Sequence, residues 1–257
     1  MKQVLLTFDL EEFDAPLEFS GEISEQEQFE TSKQGLLLIL GLLSKYNIKA
    51  TFFTTSNFAK HYPSLIKDIS KKHEIACHGY VHSDSYFKDL SRIPLAKQEI
   101  EKIIKKQVHG FRAPRFEIKD ISSLSDFGFS YDSSVNPTFI PGRYINLFKK
   151  RKPNRIGNIT EFPLSALPII RLPLEWLTFK NFPFLYSKIF TKINSLSSDY
   201  TMLIFHPWEF ADLTNAQIPF FMKAKHSQKL LNKLEKYIQF CKAKGYDFKT
   251  IESYLNI

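Results

Sequence analysis

The sequence predicts an α/β fold built on a parallel sheet. Short apolar runs rich in β-branched residues alternate with segments of helical spacing. Polar residues suited to chemistry directly follow several of these runs, and ligands gather at the carboxyl edge of parallel sheets. The 257 residues, 43% of them hydrophobic, suffice for one sizeable core. We therefore predict a single domain over residues 1–257.

Six apolar runs have the length and composition of strands. They are residues 4–9, 49–54, 74–77, 108–111, 129–131 and 201–205. A further short strand is predicted at 161–164. The strand 201–205 ends at His206, much as the first run ends at Asp9.

Helices are predicted between these strands. Leu37, Leu40 and Leu43 show helical spacing within 31–46. Asn57 is predicted to cap a helix that runs to residue 71 and is interrupted by Pro63. Further helices are predicted at 91–105, at 118–126 before Gly128, at 184–196, and at 225–244 before Gly245. Residues 136–199 hold most of the prolines and many aromatics, so we predict an irregular region there that shapes a substrate groove.

The charge is unevenly distributed. The chain carries a net charge of +8, but residues 1–30 hold nine acids and one base, which leaves +16 for the rest. Nucleic-acid binding is one interpretation of such a basic excess. Because no nucleic-acid motif accompanies it, we predict no nucleic-acid partner. A solvated basic face, or attraction to an anionic membrane or glycan, remains open.

Two cysteines, Cys77 and Cys241, lie far apart and form no CxxC pair, which argues against disulfide or thiolate metal sites. Cys77 is predicted to be a buried thiol. No apolar run reaches the ~20 residues of a membrane-spanning helix. The N-terminal segment lacks the apolar core of a signal peptide. We expect a cytoplasmic protein, with the inner face of the membrane as an alternative location.

Two motifs offer ligands for a metal. His78 and His82 form an HxxxH pair directly after a strand, and such imidazoles can face one ion, although the spacing is also common without metal. Asp9 and Glu11 follow the first strand at positions i and i+2, which point the same way in an extended chain. Asp9 ends an apolar strand, where a carboxylate is costly without a partner. Glu12 is expected to lie in an acidic surface segment.

Three further residues follow strands. His206 has the ordinary pKa of a general acid near neutrality, although a satisfied core histidine is the alternative. Arg112 is suited to hold a carboxylate by bidentate hydrogen bonds. Asp132 is expected either to orient a histidine or arginine or to cap a turn.

In their order along the chain, these motifs (TFD, HxxxH, RAP, YDSS and HPWE) resemble the polysaccharide deacetylase family, also called the NodB-homology or carbohydrate esterase 4 family. Residues 4–134 and 201–209 carry the resemblance. It implies a distorted, often seven-stranded, (β/α) barrel that removes N-acetyl, sometimes O-acetyl, groups from glycans or amino-sugar conjugates.

The resemblance also implies roles for individual residues. Metal ligation falls to His78 and His82, with zinc as the expected ion and cobalt or nickel as alternatives. Asp9 becomes the general base, Arg112 positions it, and His206 is the acid. Asp132 is placed among the catalytic residues. The oxyanion and substrate site is expected to include Arg115, Phe116, Tyr80 and Trp208.

One position departs from the common pattern of the family. Many members have two adjacent aspartates in the first motif, but Leu10 occupies the second place here. Asp9-Leu10-Glu11 resembles an Asp-x-Glu branch, in which Glu11 is the carboxylate ligand. A metal-independent amidohydrolase of the allantoinase type and a non-catalytic carbohydrate-binding relative are the alternatives. An aromatic-rich stretch near Trp176, together with the basic cluster 149–155, further suggests contact with a membrane surface.

Overall fold

The computed structural model describes residues 2–82, 91–140 and 144–257. Within these residues the chain forms a mostly parallel, curled sheet surrounded by helices. In chain order the strands are β1 (Gln3–Leu10), β2 (Thr51–Thr54), β3 (Glu74–Cys77), β4 (Gly110–Phe111), β5 (Tyr131–Asp132), β6 (Phe139–Ile140), β7 (Tyr144–Ile145), β8 (Asn154–Ile156), β9 (Ile159–Glu161), β10 (Tyr200–Phe205) and β11 (Asp247–Phe248).

The main sheet has the strand order β10-β1-β2-β3-β4-β5-β9-β8. Every neighbouring pair from β10 to β9 is parallel, and β8 adds one antiparallel strand beyond β9. β11 pairs with the first two residues of β1, while β6 and β7 form a separate hairpin. Among the described residues, seven strands are therefore parallel in one row, which confirms the predicted distorted (β/α) barrel.

The helices cover this sheet. They are α1 (Ala15–Glu18), α2 (Glu25–Lys45), α3 (Ser56–His61), α4 (Pro63–Ile69), α5 (Arg92–Ile104), α6 (Trp176–Asn181), α7 (Phe184–Ser197), α8 (Phe220–Lys223), α9 (Gln228–Ala243) and α10 (Ile251–Leu255). Short 3-10 helices lie at Pro114–Phe116, Ser122–Ser125 and Pro207–Phe210. β1 is the centre of the core, since Phe8 stacks on Phe52 of β2 and Phe205 of β10.

Several predicted boundaries were wrong. α2 begins at Glu25, not at residue 31, because Ser24 and Glu27 form a capping box. α3 is capped by Thr55, whose hydroxyl accepts from Phe58 N, and not by Asn57. The helix expected at 118–126 is reduced to the 3-10 turn Ser122–Ser125. The strand expected at 161–164 lies instead at Ile159–Glu161.

The region 136–199 has more regular structure than its composition predicted. It contains β6 to β9 and the helices α6 and α7. Glu175, just before α6, forms a parallel bridge with Ile204 of β10. This bridge brings α6 to the carboxyl end of β10.

A close approach between Gly35 of α2 and Pro207 O fixes the position of the chain that follows β10. A Cβ atom at Gly35 of α2 would lie 1.8 Å from Pro207 O, so only glycine allows α2 to pack this tightly against the 3-10 helix Pro207–Phe210. The segment that follows His206 is thereby held against a long helix. Both cysteines are buried and free, as predicted for Cys77.

Candidate active site

The carboxyl ends of the parallel strands meet at one edge of the sheet. Asp9 lies near the end of β1, and His78, Arg112 and His206 directly follow β3, β4 and β10. A cavity of about 590 Å³ opens at this edge, and its lining includes Asp9, Glu11, His78, His82 and His206. The structure therefore brings together the five residues on which the sequence-based hypothesis rests.

Glu11 lies at the centre of this cluster. Its carboxylate is 2% exposed, and Glu11 Oε2 lies 3.2 Å from His78 Nε2 and 3.4 Å from His82 Nε2. Glu11 Oε2 nevertheless makes no aligned hydrogen bond in the structure. Its other oxygen accepts a bond of 3.3 Å from Trp208 Nε1. The donor atoms of Glu11, His78 and His82 all lie within 4.8 Å of one another, so these residues could hold a metal ion.

The second ring nitrogen of each of these histidines is also bonded. His78 Nδ1 lies 2.8 Å from Arg112 O, and His82 Nδ1 lies 3.0 Å from Asp14 Oδ1. Because a backbone carbonyl only accepts, His78 Nδ1 donates, and its Nε2 is left with a lone pair towards Glu11. Gly79, with a φ of +77°, makes the turn between the histidines without strain.

The electrostatics of the cluster are those of closely coupled groups. Burial alone raises the pKa of Glu11. The charges of His82 and His206 and the contact with His78 outweigh burial and lower the pKa to about 2. Burial lowers the pKa of His82, yet the carboxylates of Glu11 and Asp14 raise it to about 10. The carboxylate of Glu11 is therefore ionised at neutral pH.

Asp9 is held by a buried arginine. Arg112 is fully buried, and its Nη1 donates to Asp9 Oδ1 at 2.7 Å and to Thr7 Oγ1 at 3.0 Å. The guanidinium also donates to both the carbonyl and the hydroxyl of Ser133 and lies 3.9 Å from the centre of the Phe53 ring. Since Arg112 occupies Oδ1, Asp9 Oδ2 faces the cluster, 3.9 Å from His78 Nε2.

His206 lines the same cavity and is held by Glu209. Glu209 Oε1 accepts from His206 N at 2.7 Å and lies 3.2 Å from His206 Nδ1. Glu209 is in turn paired with Lys180 of α6, whose Nζ lies 3.0 Å from Glu209 Oε2. Lys180 and Glu209 are both completely buried. The Nε2 of His206 is thus left to face the cavity, 3.9 Å from Glu11 Oε1.

Burial lowers the pKa of His206, but the charge of Glu11 and the hydrogen bond and charge of Glu209 raise it above its ordinary value. The ring stacks on Trp208 with centroids 5.1 Å apart and meets Trp176 edge to face at 5.2 Å. These contacts leave the imidazole one orientation and favour its protonated form. Both properties suit a proton donor.

The remaining wall is aromatic and acidic. Trp208, Phe116 and Arg115, all expected at the substrate site, line the cavity. Arg115 and Phe116 have φ values of +55° and +61°, a conformation that costs energy for residues with a side chain and recurs at functional sites. Arg115 Nη2 pairs with Glu18 Oε1 at 2.5 Å, and Glu18 also lines the cavity.

Two expected site residues lie elsewhere. Tyr80 lies outside the cavity lining, where its hydroxyl accepts from Lys60 Nζ at 3.1 Å and its ring faces Arg92. Asp132 is buried in β5, where both of its oxygens accept from Ser134 in the manner of a turn and its side chain is also hydrogen-bonded to Glu161. Burial raises the pKa of Asp132, and burial together with the Asp132 charge raises that of neighbouring Glu161. Of the two roles that the sequence left open, this geometry fits the turn.

Sequence reasoning missed Asp14, Lys180 and the role of Glu209. Asp14 follows Glu11 by three residues, a spacing that could have suggested a shared site. Glu209 closes the HPWE motif three residues after His206. Nothing in the sequence around Lys180 predicts that this residue is buried beside the site. The prediction that Glu12 lies in an acidic surface segment was wrong. Glu12 is buried, its carboxylate contacts the hydroxyl of Thr55, and burial raises its pKa.

Comparisons with known proteins agree with the fold. Residues 2–131, half of the chain, match the model of the family described as polysaccharide deacetylase. This match ends before β10, so the place of His206 in the site depends on the geometry alone. No curated protein sequence matches the chain.

Three solved structures illustrate the range of proteins that share this fold. A protein from Mycobacterium smegmatis assigned as a polysaccharide deacetylase is 19% identical with a TM-score of 0.69, over 98% of this chain and 88% of that one. An allantoinase is 14% identical with a TM-score of 0.63, over 98% of this chain and 87% of that one. A carbohydrate esterase 4 pseudoenzyme from Bacillus anthracis is 15% identical with a TM-score of 0.54, over 98% of this chain and 64% of that one.

At these sequence identities the structural similarities establish the fold alone, and hydrolases share this fold with a pseudoenzyme. The assignment of the chain to a family depends on the match of residues 2–131 to the family model. The chain belongs to the polysaccharide deacetylase family and is thereby a hydrolase of carbon–nitrogen bonds.

Proposed function

We propose that the protein is a metal-dependent deacetylase that removes N-acetyl, or alternatively O-acetyl, groups from a glycan or an amino-sugar conjugate. The observation that carries the proposal is the environment of Glu11 Oε2. It is buried, lacks an aligned hydrogen bond, and faces the Nε2 atoms of His78 and His82 at 3.2 and 3.4 Å. The ligand set is one carboxylate and two imidazoles.

These residues fit a divalent ion. Their donor atoms lie within 4.8 Å of one another, and two imidazoles with one carboxylate are a common donor set for catalytic zinc. We assign Glu11, His78 and His82 as the ligands and zinc as the preferred ion, with cobalt or nickel as alternatives. When bound, such an ion polarises the acyl carbonyl and makes water more acidic.

The protein's own groups carry the proton transfers. Asp9 accepts a proton from the attacking water through Oδ2, since Arg112 holds Oδ1. His206, protonated and with Nδ1 engaged by Glu209, donates from Nε2 to the leaving nitrogen. The products are acetate and a free amine. The backbone N–H of Arg115 is proposed to support the oxyanion, because this residue lines the cavity in a left-handed conformation.

The wall of the cavity supports a sugar substrate. Trp176, Phe116 and Trp208 provide flat apolar surfaces, and several carboxylates provide acceptors for hydroxyl groups. Acidic lining residues, among them Glu117 and Glu175, favour a neutral sugar that becomes a cationic amine on deacetylation. Part of the region 136–199 thus shapes the substrate site through α6.

The test is acetate release by the zinc-loaded protein from N-acetylglucosamine oligomers, peptidoglycan fragments and lipid-linked amino sugars. Asp9→Asn and His206→Ala should each reduce acetate release by about 10²–10⁴-fold, the usual contribution of general acid–base catalysis. His109→Ala and Asp120→Asn are matched controls outside the cavity lining and should retain normal rates.

Metal content and thermal unfolding are measured on every variant, so that loss of chemistry is separated from loss of fold. Near-normal turnover by a folded, metal-loaded His206→Ala protein would overturn the assignment. Amide hydrolysis that survives complete removal of metal would favour the allantoinase-type alternative. Glycan binding without any turnover would favour a carbohydrate-binding relative.

A further inference from the structure

Exposed apolar side chains are concentrated in one part of the chain. Of the eighteen large hydrophobic residues that are exposed in the described ranges, ten lie between residues 139 and 196. Ile145, Phe148, Ile169 and Leu196 are 75%, 99%, 92% and 83% exposed. Single exposed apolar residues are ordinary, but a contiguous group marks an interaction surface.

Helix α7 contributes a stripe to this surface. Leu185, Ile189, Ile193 and Leu196 are all exposed and recur at intervals of three or four residues, so they share one face of the helix. The buried face of α7 carries Ser187, Thr191 and Asn194 beside Phe190. The helix therefore presents four aliphatic side chains to the outside and several polar groups to the core, which is the reverse of an ordinary surface helix.

Two further segments with exposed apolar residues lie beside the end of this helix. Arg151 Nη2 donates to Asn194 Oδ1 and to Ser197 Oγ, both at 3.3 Å, which places the segment 145–152 beside the end of α7. Arg151 Nε also donates to Ala166 O, and Arg171 Nη1 donates to Lys149 O at 3.0 Å, which adds the turn 166–171. We refer to α7, 145–152 and 166–171 together as the basic apolar face.

The charge of this part of the chain is strongly one-sided. Residues 136–199 contain ten bases and three acids. Two of the acids, Glu161 and Glu175, are buried in the described structure, and Asp199 lies at the end of the segment. Lys149, Lys150, Lys152 and Lys192 are exposed beside the apolar side chains.

The combination favours one kind of partner. A second copy of the chain docked through the same face would bring like charges together, which opposes association. Exposed aliphatic and aromatic side chains set among lysines match the apolar interior and anionic headgroups of a lipid bilayer. We propose that the basic apolar face binds the surface of an anionic lipid bilayer.

Binding through this face is peripheral. No helix in the described parts of the chain is long and apolar enough to cross a membrane. The face also adjoins the active-site cavity, because Asn181 Nδ2 donates to Phe221 O at 3.0 Å, and Phe221 lines the cavity while 52% exposed. Leu185 follows Asn181 by four residues and begins the α7 stripe. A docked bilayer would therefore lie beside the rim of the cavity.

The test is co-sedimentation of the full-length protein with vesicles of phosphatidylcholine alone and of phosphatidylcholine with 30% phosphatidylglycerol. Each lysine near an anionic surface strengthens binding about fivefold, so Lys149→Ala combined with Lys150→Ala should weaken binding to the anionic vesicles roughly 25-fold. Phe148→Ser combined with Leu196→Ser should weaken it at least about tenfold.

Matched controls separate this face from general charge and hydrophobicity. Lys67→Ala with Lys102→Ala removes two exposed lysines on α4 and α5, and Leu37→Ser with Leu95→Ser removes two exposed leucines on α2 and α5. Both control pairs should bind vesicles as the unaltered protein does. All four pairs should keep the same thermal unfolding and the same acetate release from a soluble substrate, since none lies in the cavity lining.

Four results would overturn the proposal. The first two are equal binding of the unaltered protein to neutral and anionic vesicles, and no binding to either. The third is an equal loss of vesicle binding in the face variants and in the control variants. The fourth is full vesicle binding by a variant that carries all four substitutions of the face. Competition by single-stranded RNA that is stronger than that by anionic vesicles would assign the face to nucleic acid instead.

Discussion

The buried pair Lys180–Glu209 is predicted to be strongly coupled, because neither charge has access to water. Lys180 Nζ lies 3.0 Å from Glu209 Oε2, and both side chains are 0% exposed. At an effective dielectric constant of about 20, two unit charges at this distance attract by about 5–6 kcal/mol. Removing one member of a buried pair typically costs about 3–5 kcal/mol, since the other charge is left uncompensated.

Lys180→Met is expected to lower the free energy of unfolding by about this amount. The remaining Glu209 carboxylate keeps its bonds to His206 but loses its cation, while Met222 O loses the ammonium that donates to it at 2.6 Å. Lys180→Met combined with Glu209→Gln removes both charges and should recover much of the loss. We expect a coupling energy of at least about 2 kcal/mol from the double-mutant cycle.

Urea unfolding of the four proteins at neutral pH measures this coupling, and acetate release at a temperature where all four are folded reports on His206. The single variant Lys180→Met should also release acetate more slowly, because Glu209, although still bonded to His206, loses the cation that fixes its own position. Effects on the free energy of unfolding that add within about 0.5 kcal/mol would show that the two charges do not depend on each other.

Two further predictions concern a ligand contact and the half-buried His73. Asp14→Ala should weaken zinc binding about 10–100-fold in a chelator competition, because His82 Nδ1 loses its acceptor. Glu117→Gln at the cavity wall should leave the zinc affinity unchanged. Equal zinc affinities of Asp14→Ala and the unaltered protein would show that Asp14 does not support His82 as a ligand. Burial lowers the pKa of His73 to about 4. The folded state therefore binds fewer protons than the unfolded state between about pH 6.5 and pH 4. The free energy of unfolding should fall as the pH decreases through this window. In His73→Gln the decline in urea midpoint from pH 7 to pH 5 should be smaller, and an unchanged decline would show that His73 is not responsible.

The edge of the sheet was predictable from sequence because its signal is local. Apolar runs followed at once by Asp9, His78 and His206 gave both the strands and the residues at their ends, and parallel strands necessarily bring those ends together. Glu11 was predictable as well, since it lies two residues beyond Asp9 on the same side of an extended chain. These positions depend only on neighbours in sequence.

The supporting residues depend on contacts between distant segments. Lys180 reaches Glu209 only because Glu175 pairs with Ile204 and brings α6 to the end of β10. Nothing in the sequence around Lys180 distinguishes it from a surface lysine. Burial of this kind follows from topology, not from local pattern.

Tyr80 and Asp132 are placed differently from the other residues of their motifs. Both stand inside motifs that do contribute to the site, yet neither side chain lines the cavity. Gly79 turns the chain between His78 and His82, and Tyr80 contacts Lys60 and Arg92 instead. Asp132 alternates with its neighbours along β5 and bonds to Ser134. Membership of a motif does not by itself fix the direction of a side chain.

Glu11, His78 and His82 are proposed to hold a metal ion on which acetate release depends. Elemental analysis and acetate release, measured on the same preparations of the unaltered protein and of Glu11→Gln, test it most directly. We expect about one equivalent of zinc with activity in the unaltered protein, and loss of both in a folded Glu11→Gln variant, whereas Asp120→Asn, outside the cavity lining, retains both. Full acetate release from a Glu11→Gln protein that carries no metal would contradict the claim.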